Sequence, residues 1–190
     1  MIRVVALALV VAACSPDSGD GSDEAADDQL DDGDASSSGG MRDPAALVDP
    51  FTWTADVAID PMPSHRPADA VCDVGFGEEF GVFEIDTQIC NYGVFSQPTL
   101  AEVRVGDTVE LTITHDDLVS DEPAIGHIMV GLGDAHMFEA EVEIPGPYGL
   151  VTAEWEADAD VPVGTPVALH LHNHGFNQWR LVAIVTRPPM

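Results

Sequence analysis

The chain contains no lysine, and its 190 residues carry six arginines against 34 aspartates and glutamates. The formal net charge of −28 excludes nucleic-acid-binding proteins that rely on clustered positive charge, because such clusters attract the phosphate backbone. For the same reason, we expect no electrostatic attraction to an anionic membrane surface. The acidity favours solubility and attracts cations without specifying a fold.

Helical periodicity and familiar catalytic motifs are also missing from the sequence. No segment repeats its apolar residues every 3.6 positions for long enough to predict an amphipathic helix. The motifs Gly-x-Ser-x-Gly and His-Glu-x-x-His and the phosphate-binding loop do not occur. Binding is therefore favoured over catalysis. His115, which precedes Asp116 and Asp117, is left as a weak catalytic candidate.

The first 13 residues have the organisation of an export signal. Arg3 supplies the positive charge, and residues 4–13 form an apolar run that is too short to span a bilayer stably. The stretch Val-Ala-Ala-Cys14 resembles the bacterial lipobox, whose cysteine is acylated and begins the mature chain. The resemblance implies a signal peptide over 1–13 and an exported lipoprotein anchored at the periplasmic face or the cell surface. An ordinary cleaved secretory peptide is the alternative.

Residues 14–44 are predicted to be a disordered acidic tether. They consist mainly of Asp, Glu, Ser, Gly and Ala, and such a sequence lacks the apolar surface that would offset the entropy of ordering. Repulsion between like charges should extend the segment. A weak cation-binding role is the alternative, although the EF-hand pattern is absent. We expect one folded domain over residues 45–190.

The domain sequence alternates short apolar–polar segments with Gly, Pro and Asp turns. In residues 108–115, for example, Val109, Leu111 and Ile113 would share one face of a strand. About eight such strands at near-regular spacing predict an antiparallel Greek-key β-sandwich. Residues 53–59 are predicted as the first strand, and residues 60–67, with three prolines, as a loop.

Cys72 and Cys90 are the two thiols that remain once Cys14 is assigned to the anchor. In an exported chain they predict a disulfide, which would stabilise the fold by about 3 kcal/mol through restriction of the unfolded chain. A pair of metal thiolates is the alternative, but the spacing is not that of a zinc knuckle.

Three histidines recur at every second position near the end of the chain: His170, His172 and His174. On a regular strand their side chains would share one face at intervals of about 6–7 Å. Such a pattern can deliver two neutral imidazoles to one copper or zinc ion, with a third ligand from a neighbouring strand. The candidates for that ligand are His115, His127 and His136, with Met129 and Met137 as soft ligands. Alternatively, the intervening residues face the core and the histidines are solvated or form cross-strand hydrogen bonds.

Three pieces of the chain resemble the cupredoxin family, namely residues 95–109, 126–130 and 163–185. The resemblance implies a cupredoxin-like sandwich and singles out His127 and His174 as a ligand pair. The family's cysteine and axial methionine would fall at Leu171 and Trp179. Because a blue-copper centre needs a thiolate, we expect no electron transfer of that type.

The residues after His174 support a second interpretation of the same region. Residues 175–179 resemble the final strand of carbohydrate-binding jelly rolls, and their aromatic and polar side chains could stack a sugar ring and bond its hydroxyls. The candidate residues are Phe176, Asn177, Trp179 and Arg180. Alternatively, Trp179 closes the end of the sandwich. Two functions are left open: binding of copper or zinc by histidines, and non-catalytic recognition of an envelope glycan or protein.

Overall fold

The structure is a computed structural model that describes residues 42–189. The signal peptide predicted over 1–13, the lipid anchor predicted at Cys14 and most of the predicted tether lie outside these residues. Within the described part of the chain, no helix is long and apolar enough to cross a membrane.

Residues 42–189 fold into two antiparallel β-sheets. The strands are β1 (Ala45–Ala46), β2 (Thr54–Ala55), β3 (Phe76–Glu79), β4 (Val82–Asp86), β5 (Tyr92–Pro98), β6 (Thr108–His115), β7 (Ala124–Leu132), β8 (Ala135–Ile144), β9 (Gly149–Glu156), β10 (Pro166–His172) and β11 (Gln178–Arg187). The first sheet has the order β3-β4-β11-β6-β9, with β1 also paired to β11, and the second has the order β2-β5-β10-β7-β8. The predicted all-β antiparallel sandwich is confirmed. Greek-key connectivity and kinship with cupredoxins stay predictions.

The core contains the apolar positions that alternate along the strands of both sheets. Strand β6 contributes Val109, Leu111 and Ile113, which are buried between half-buried polar neighbours. From the second sheet, β10 contributes Leu169 and Leu171 to the same cluster. Because side chains alternate across a strand, the neighbours of these leucines along β10 must lie on the opposite face of the second sheet, here called the outer face.

The first predicted strand is much shorter than expected. Only Thr54 and Ala55 pair with β5, and a 3-10 turn follows at Val57–Ile59. The Asp56 side chain accepts a hydrogen bond from the backbone N–H of Ala58 and so caps this turn. The loop predicted over 60–67 is present and contains a second 3-10 turn, Pro63–His65. Local capping therefore overrides the strand-like alternation.

A disulfide joins Cys72 to Cys90, as predicted, so neither residue is available as a metal thiolate. It secures the end of residues 56–71, here called the outer loop, beside the start of β5. Backbone hydrogen bonds support this attachment, because Asn91 donates to the carbonyl of Val71 over 3.0 Å. At the other end of the loop, Asp56 donates to the carbonyl of Val94 over 2.8 Å. The outer loop is thus held against β5 at both ends.

Candidate metal centre

The outer face of the second sheet carries His127, His170 and His172, because of the register between β7 and β10. His172 lies opposite His127, and His170 lies opposite Met129. The alternation that sends Leu171 into the core directs His170 and His172 away from it. The strand ladder therefore brings imidazoles from two neighbouring strands onto one surface.

Part of this surface is closed to solvent. His170 is 0% exposed and His127 is 4% exposed, although neither faces the core of the sandwich. The outer loop covers them, and its Asp60 contacts both His170 and the hydroxyl of Tyr92. Of the alternative interpretation, in which these histidines are solvated or form cross-strand hydrogen bonds, the solvated form is therefore wrong for His170.

The outer loop contributes a third imidazole, His65, which the sequence analysis did not select. The ring centres of His65 and His127 are 4.6 Å apart, those of His127 and His170 are 5.4 Å apart, and those of His65 and His170 are 6.2 Å apart. One potential ligand atom from each residue lies within 4.8 Å of the other two. We call His65, His127 and His170 the three-histidine group.

Carboxylates hold the two buried imidazoles by one nitrogen each. Nδ1 of His170 lies 3.2 Å from Oδ1 of Asp60, and Nε2 of His127 lies 2.7 Å from Oε1 of Glu139. Asp60 in turn accepts a hydrogen bond from the Tyr92 hydroxyl. Metal-binding histidines are commonly oriented in this way, with the second nitrogen left to face the ion.

The second nitrogen of each buried imidazole has no hydrogen-bond partner among residues 42–189. These atoms are Nε2 of His170 and Nδ1 of His127. A buried polar atom without a partner costs about 1–3 kcal/mol, so two in one place need a compensating interaction. A metal ion that accepts a lone pair from each of the two nitrogens would provide it.

The electrostatics of the site favour the neutral form of His170 and His172. Burial lowers the pKa of His170 to about 4, and the charge of His127 adds to this effect while Asp60 opposes it. Burial also lowers the pKa of His172, with His174 as the next cause. The hydrogen bond from His127 lowers the pKa of Glu139, which therefore stays ionised near neutral pH. Neutral imidazole is the form that binds metals, so His170 is ready for coordination at neutral pH.

His172 and His174 lie outside the three-histidine group but close to it. His172 is half-buried, His174 is exposed, and their ring centres are 4.7 Å apart. Both line a cleft of about 760 Å³ that His65 and His127 also line. The structure therefore groups His127 with His65 and His170, whereas the cupredoxin resemblance had paired it with His174.

The other predicted metal ligands are dispersed. Met129 is buried beside His170, with its sulfur 3.9 Å from the position that a Cβ on Gly131 would occupy. Met137 lies in the core, and His115 packs against Trp179 with ring centres 4.7 Å apart. His136 is exposed and lies 3.2 Å from Glu139. Of these residues, Met129 lies opposite His170 in the strand register, and His136 shares the carboxylate of Glu139 with His127.

The predicted sugar-binding residues do not form an exposed face. Trp179 is 1% exposed, and its indole N–H donates to Asn173. Of the two interpretations of this residue, the structure therefore supports burial in the sandwich and contradicts a stacking platform for a sugar. Asn177 is buried and donates to the carbonyl of His174, and Arg180 pairs with Asp116 and Glu84. Phe176 is exposed and lines the cleft.

No protein-family model and no curated protein matches this chain. Among solved structures, "CBM4 structure and function" aligns with a TM-score of 0.41 and 15% identity, over 78% of this chain and 97% of the other. A structure described as an apo form cyclase from Fischerella sp. aligns with a TM-score of 0.41 and 12% identity, over 79% of this chain and 90% of the other. "Structure of PfGH50B" aligns with a TM-score of 0.37 and 10% identity, over 74% of this chain and 22% of the other. These similarities assign neither a ligand nor an activity to the chain.

Proposed function

We propose that this protein binds a transition-metal ion, copper or zinc, through His65, His127 and His170. The observation that carries the proposal is the pair of buried imidazole nitrogens without partners, His170 Nε2 and His127 Nδ1, in a group with a third histidine. The other nitrogen of each ring contacts a carboxylate: Asp60 for His170 and Glu139 for His127. Uncompensated burial of this kind is costly, and a metal ion offsets it.

The spacing of the rings suits coordination of one ion. With metal–nitrogen distances of about 2.0–2.1 Å, imidazoles on one ion at angles of about 90–180° have ring centres about 4.5–6.3 Å apart. The three observed separations, 4.6, 5.4 and 6.2 Å, all fall in this range.

The donor set supports copper or zinc rather than a hard cation. Imidazoles suit both ions, whereas calcium and magnesium prefer oxygen ligands. Cys72 and Cys90 are joined to each other, so a blue-copper centre is not part of the proposal. Met129 is the nearest candidate for a soft further ligand, and its participation would favour Cu(I).

We further propose that the domain works in the cell envelope as an exported lipoprotein, anchored through Cys14 and carried on the acidic tether. The lipobox-like ending of the leader and the composition of residues 14–44 support this placement. Glycan or protein recognition is the weaker alternative, because Phe176 is the one exposed member of its predicted residue set.

Metal stoichiometry tests the proposed function. The purified protein is dialysed against Cu²⁺ or Zn²⁺, and bound metal is measured by mass spectrometry. We expect about one equivalent, with loss of most of it in His65→Gln, His127→Gln and His170→Gln, as for removal of one of three ligands. The control is Glu156→Gln, which removes an exposed carboxylate on β9 of the first sheet. Equal metal content in all variants would contradict the assignment.

A further inference from the structure

His172 and His174 form a second imidazole pair that the three-histidine group does not use. Their ring centres are 4.7 Å apart, within the range of about 4.5–6.3 Å for two imidazoles on one ion. They line the cleft together with His65, a member of the three-histidine group. His172 also lies directly opposite His127 in the strand register. The pair is therefore adjacent to the buried group and on the side that opens to solvent.

The histidines show a gradient of exposure from the cleft to the interior. His174 is exposed, His172 and His65 are half-buried, and His127 and His170 are buried. An ion at the buried group is enclosed by the second sheet on one side and by the outer loop on the other. Since the cleft is lined by members of both sets, exchange with solvent should proceed through it.

The loop that carries His174 is held in place by buried amides. Asn173 and Asn177 both donate to the carbonyl of His174, over 3.1 and 3.0 Å. Asn173 also donates to the hydroxyl of Thr87 over 2.9 Å. Gly175 has φ of +92°, and a Cβ there would lie 2.0 Å from the carbonyl oxygen of Val119. The position of His174 is thus built into the fold.

Carboxylates surround the entrance to this pair. Asp121, Glu122 and Glu141 are exposed and line the cleft. Fixed negative charge around a concave surface raises the local concentration of cations and speeds their association. The entrance therefore attracts metal ions and repels anions.

We infer that His172 and His174 form an entry site through which a transition-metal ion reaches and leaves the three-histidine group. This inference rests on the proposed function. The pair supplies replacement ligands one at a time, with His65 as the shared neighbour, so that the ion exchanges imidazoles without being stripped to water in a buried site. An entry site changes the rates of loading and release and leaves the equilibrium affinity nearly unchanged.

The test compares rates with affinity, using Zn²⁺ because it undergoes no redox chemistry. Loading of the protein by Zn²⁺, and its removal by an excess of chelator, are followed by stopped-flow for the wild type and for His172→Gln/His174→Gln. We expect both rates to fall by about tenfold in the double variant, within the range over which association rates of related complexes vary. Stoichiometry and Kd should stay within about twofold of wild type, because the equilibrium ligands are untouched.

Glu156→Gln is the control, because it removes an exposed side chain on β9 of the first sheet that does not line the cleft. Circular dichroism confirms that each variant is folded. Unchanged rates in the double variant would overturn the entry site and leave the proposed function standing. A large loss of affinity would also overturn it, since the pair would then be resident ligands. If the wild type binds no Zn²⁺ and no Cu²⁺, the proposed function fails and the entry site with it.

Discussion

Asp60 in the outer loop and His170 in β10 are 110 positions apart in the sequence, yet Oδ1 of Asp60 lies 3.2 Å from Nδ1 of His170. The contact is buried, with side-chain exposures of 5% and 0%. It holds the His170 ring so that Nε2 points away from the loop carboxylate. The same loop supplies His65, so a single segment both orients one candidate ligand and provides another.

Replacing Asp60 should therefore weaken metal binding without removing a ligand. In Asp60→Asn the charge that supports the imidazole is lost, and we expect metal affinity to fall about 10–100-fold. A competition titration with a chromophoric chelator measures the change. Asp69→Asn is the control, because this exposed side chain lies on the same loop. Equal affinities for wild type and Asp60→Asn would show that the contact does not support the site.

Acid should destabilise the metal-free protein in a defined pH window. Because the pKa of His170 is lowered to about 4, the unfolded chain, with an ordinary histidine pKa near 6.5, binds a proton there that the folded protein does not. Stability is therefore fully present above about pH 6.5 and falls towards pH 4, by roughly 3 kcal/mol from this residue. Urea denaturation at several pH values measures the slope.

A His170→Gln variant separates this effect from other titrations. It should lose most of the pH dependence between about pH 6.5 and 4.5, because carboxylates with lowered pKa, such as Glu139, act mainly below that window. His172 titrates in the same direction and should keep the remainder. An unchanged slope in His170→Gln would show that His170 is not held neutral.

Removing the disulfide should lower metal affinity by more than the accompanying loss of stability explains. Cys72→Ser/Cys90→Ser should cost about 2–5 kcal/mol of unfolding free energy and loosen the outer loop that carries Asp60 and His65. Metal affinity, measured by competition titration in the folded fraction, should fall by about tenfold or more, as for loss of a supporting contact. Leu111→Ala in the first sheet, with a similar stability loss of about 2–5 kcal/mol, is the control and should keep its affinity. A double serine variant that binds metal as the control does would contradict this role of the loop.

The lipid anchor can be tested independently of the metal. Cys14→Ala should move the protein from the membrane fraction to the soluble fraction, because acylation at that cysteine is the expected attachment. Cys72→Ser is the control and should remain with the membrane. Membrane association of Cys14→Ala would refute the lipoprotein prediction, and immunoblots of the two fractions decide the outcome.

The sheet architecture was predictable because strand alternation is a local property. In β6 the sequence pattern and the buried positions coincide, and the same alternation separates Leu171 from His172. His127 and His170 could be selected from the sequence, since both lie on strands in which the alternation of residues assigns each side chain to a face. The strand predicted over residues 53–59 was wrong in length, because the cap at Asp56 ends the strand early.

His65 and Asp60 could not be selected from the sequence, because a proline-rich loop has no periodicity that assigns a face. Their positions depend on contacts formed only in the folded protein, above all the Tyr92–Asp60 hydrogen bond and the Cys72–Cys90 bridge. The burial of Trp179 likewise follows from packing on His115. The one sequence signal for His65 was its position shortly before Cys72, whose bridge returns the loop to the sheet.

Anomalous diffraction from crystals grown with Zn²⁺ tests the central claim most directly. Data collected on the two sides of the zinc absorption edge locate the ion without reference to any variant. We predict one strong peak about 2.0–2.1 Å from Nε2 of His170, from Nδ1 of His127 and from a ring nitrogen of His65. A strong peak at His172 and His174 alone, or no peak on the outer face, would contradict the account.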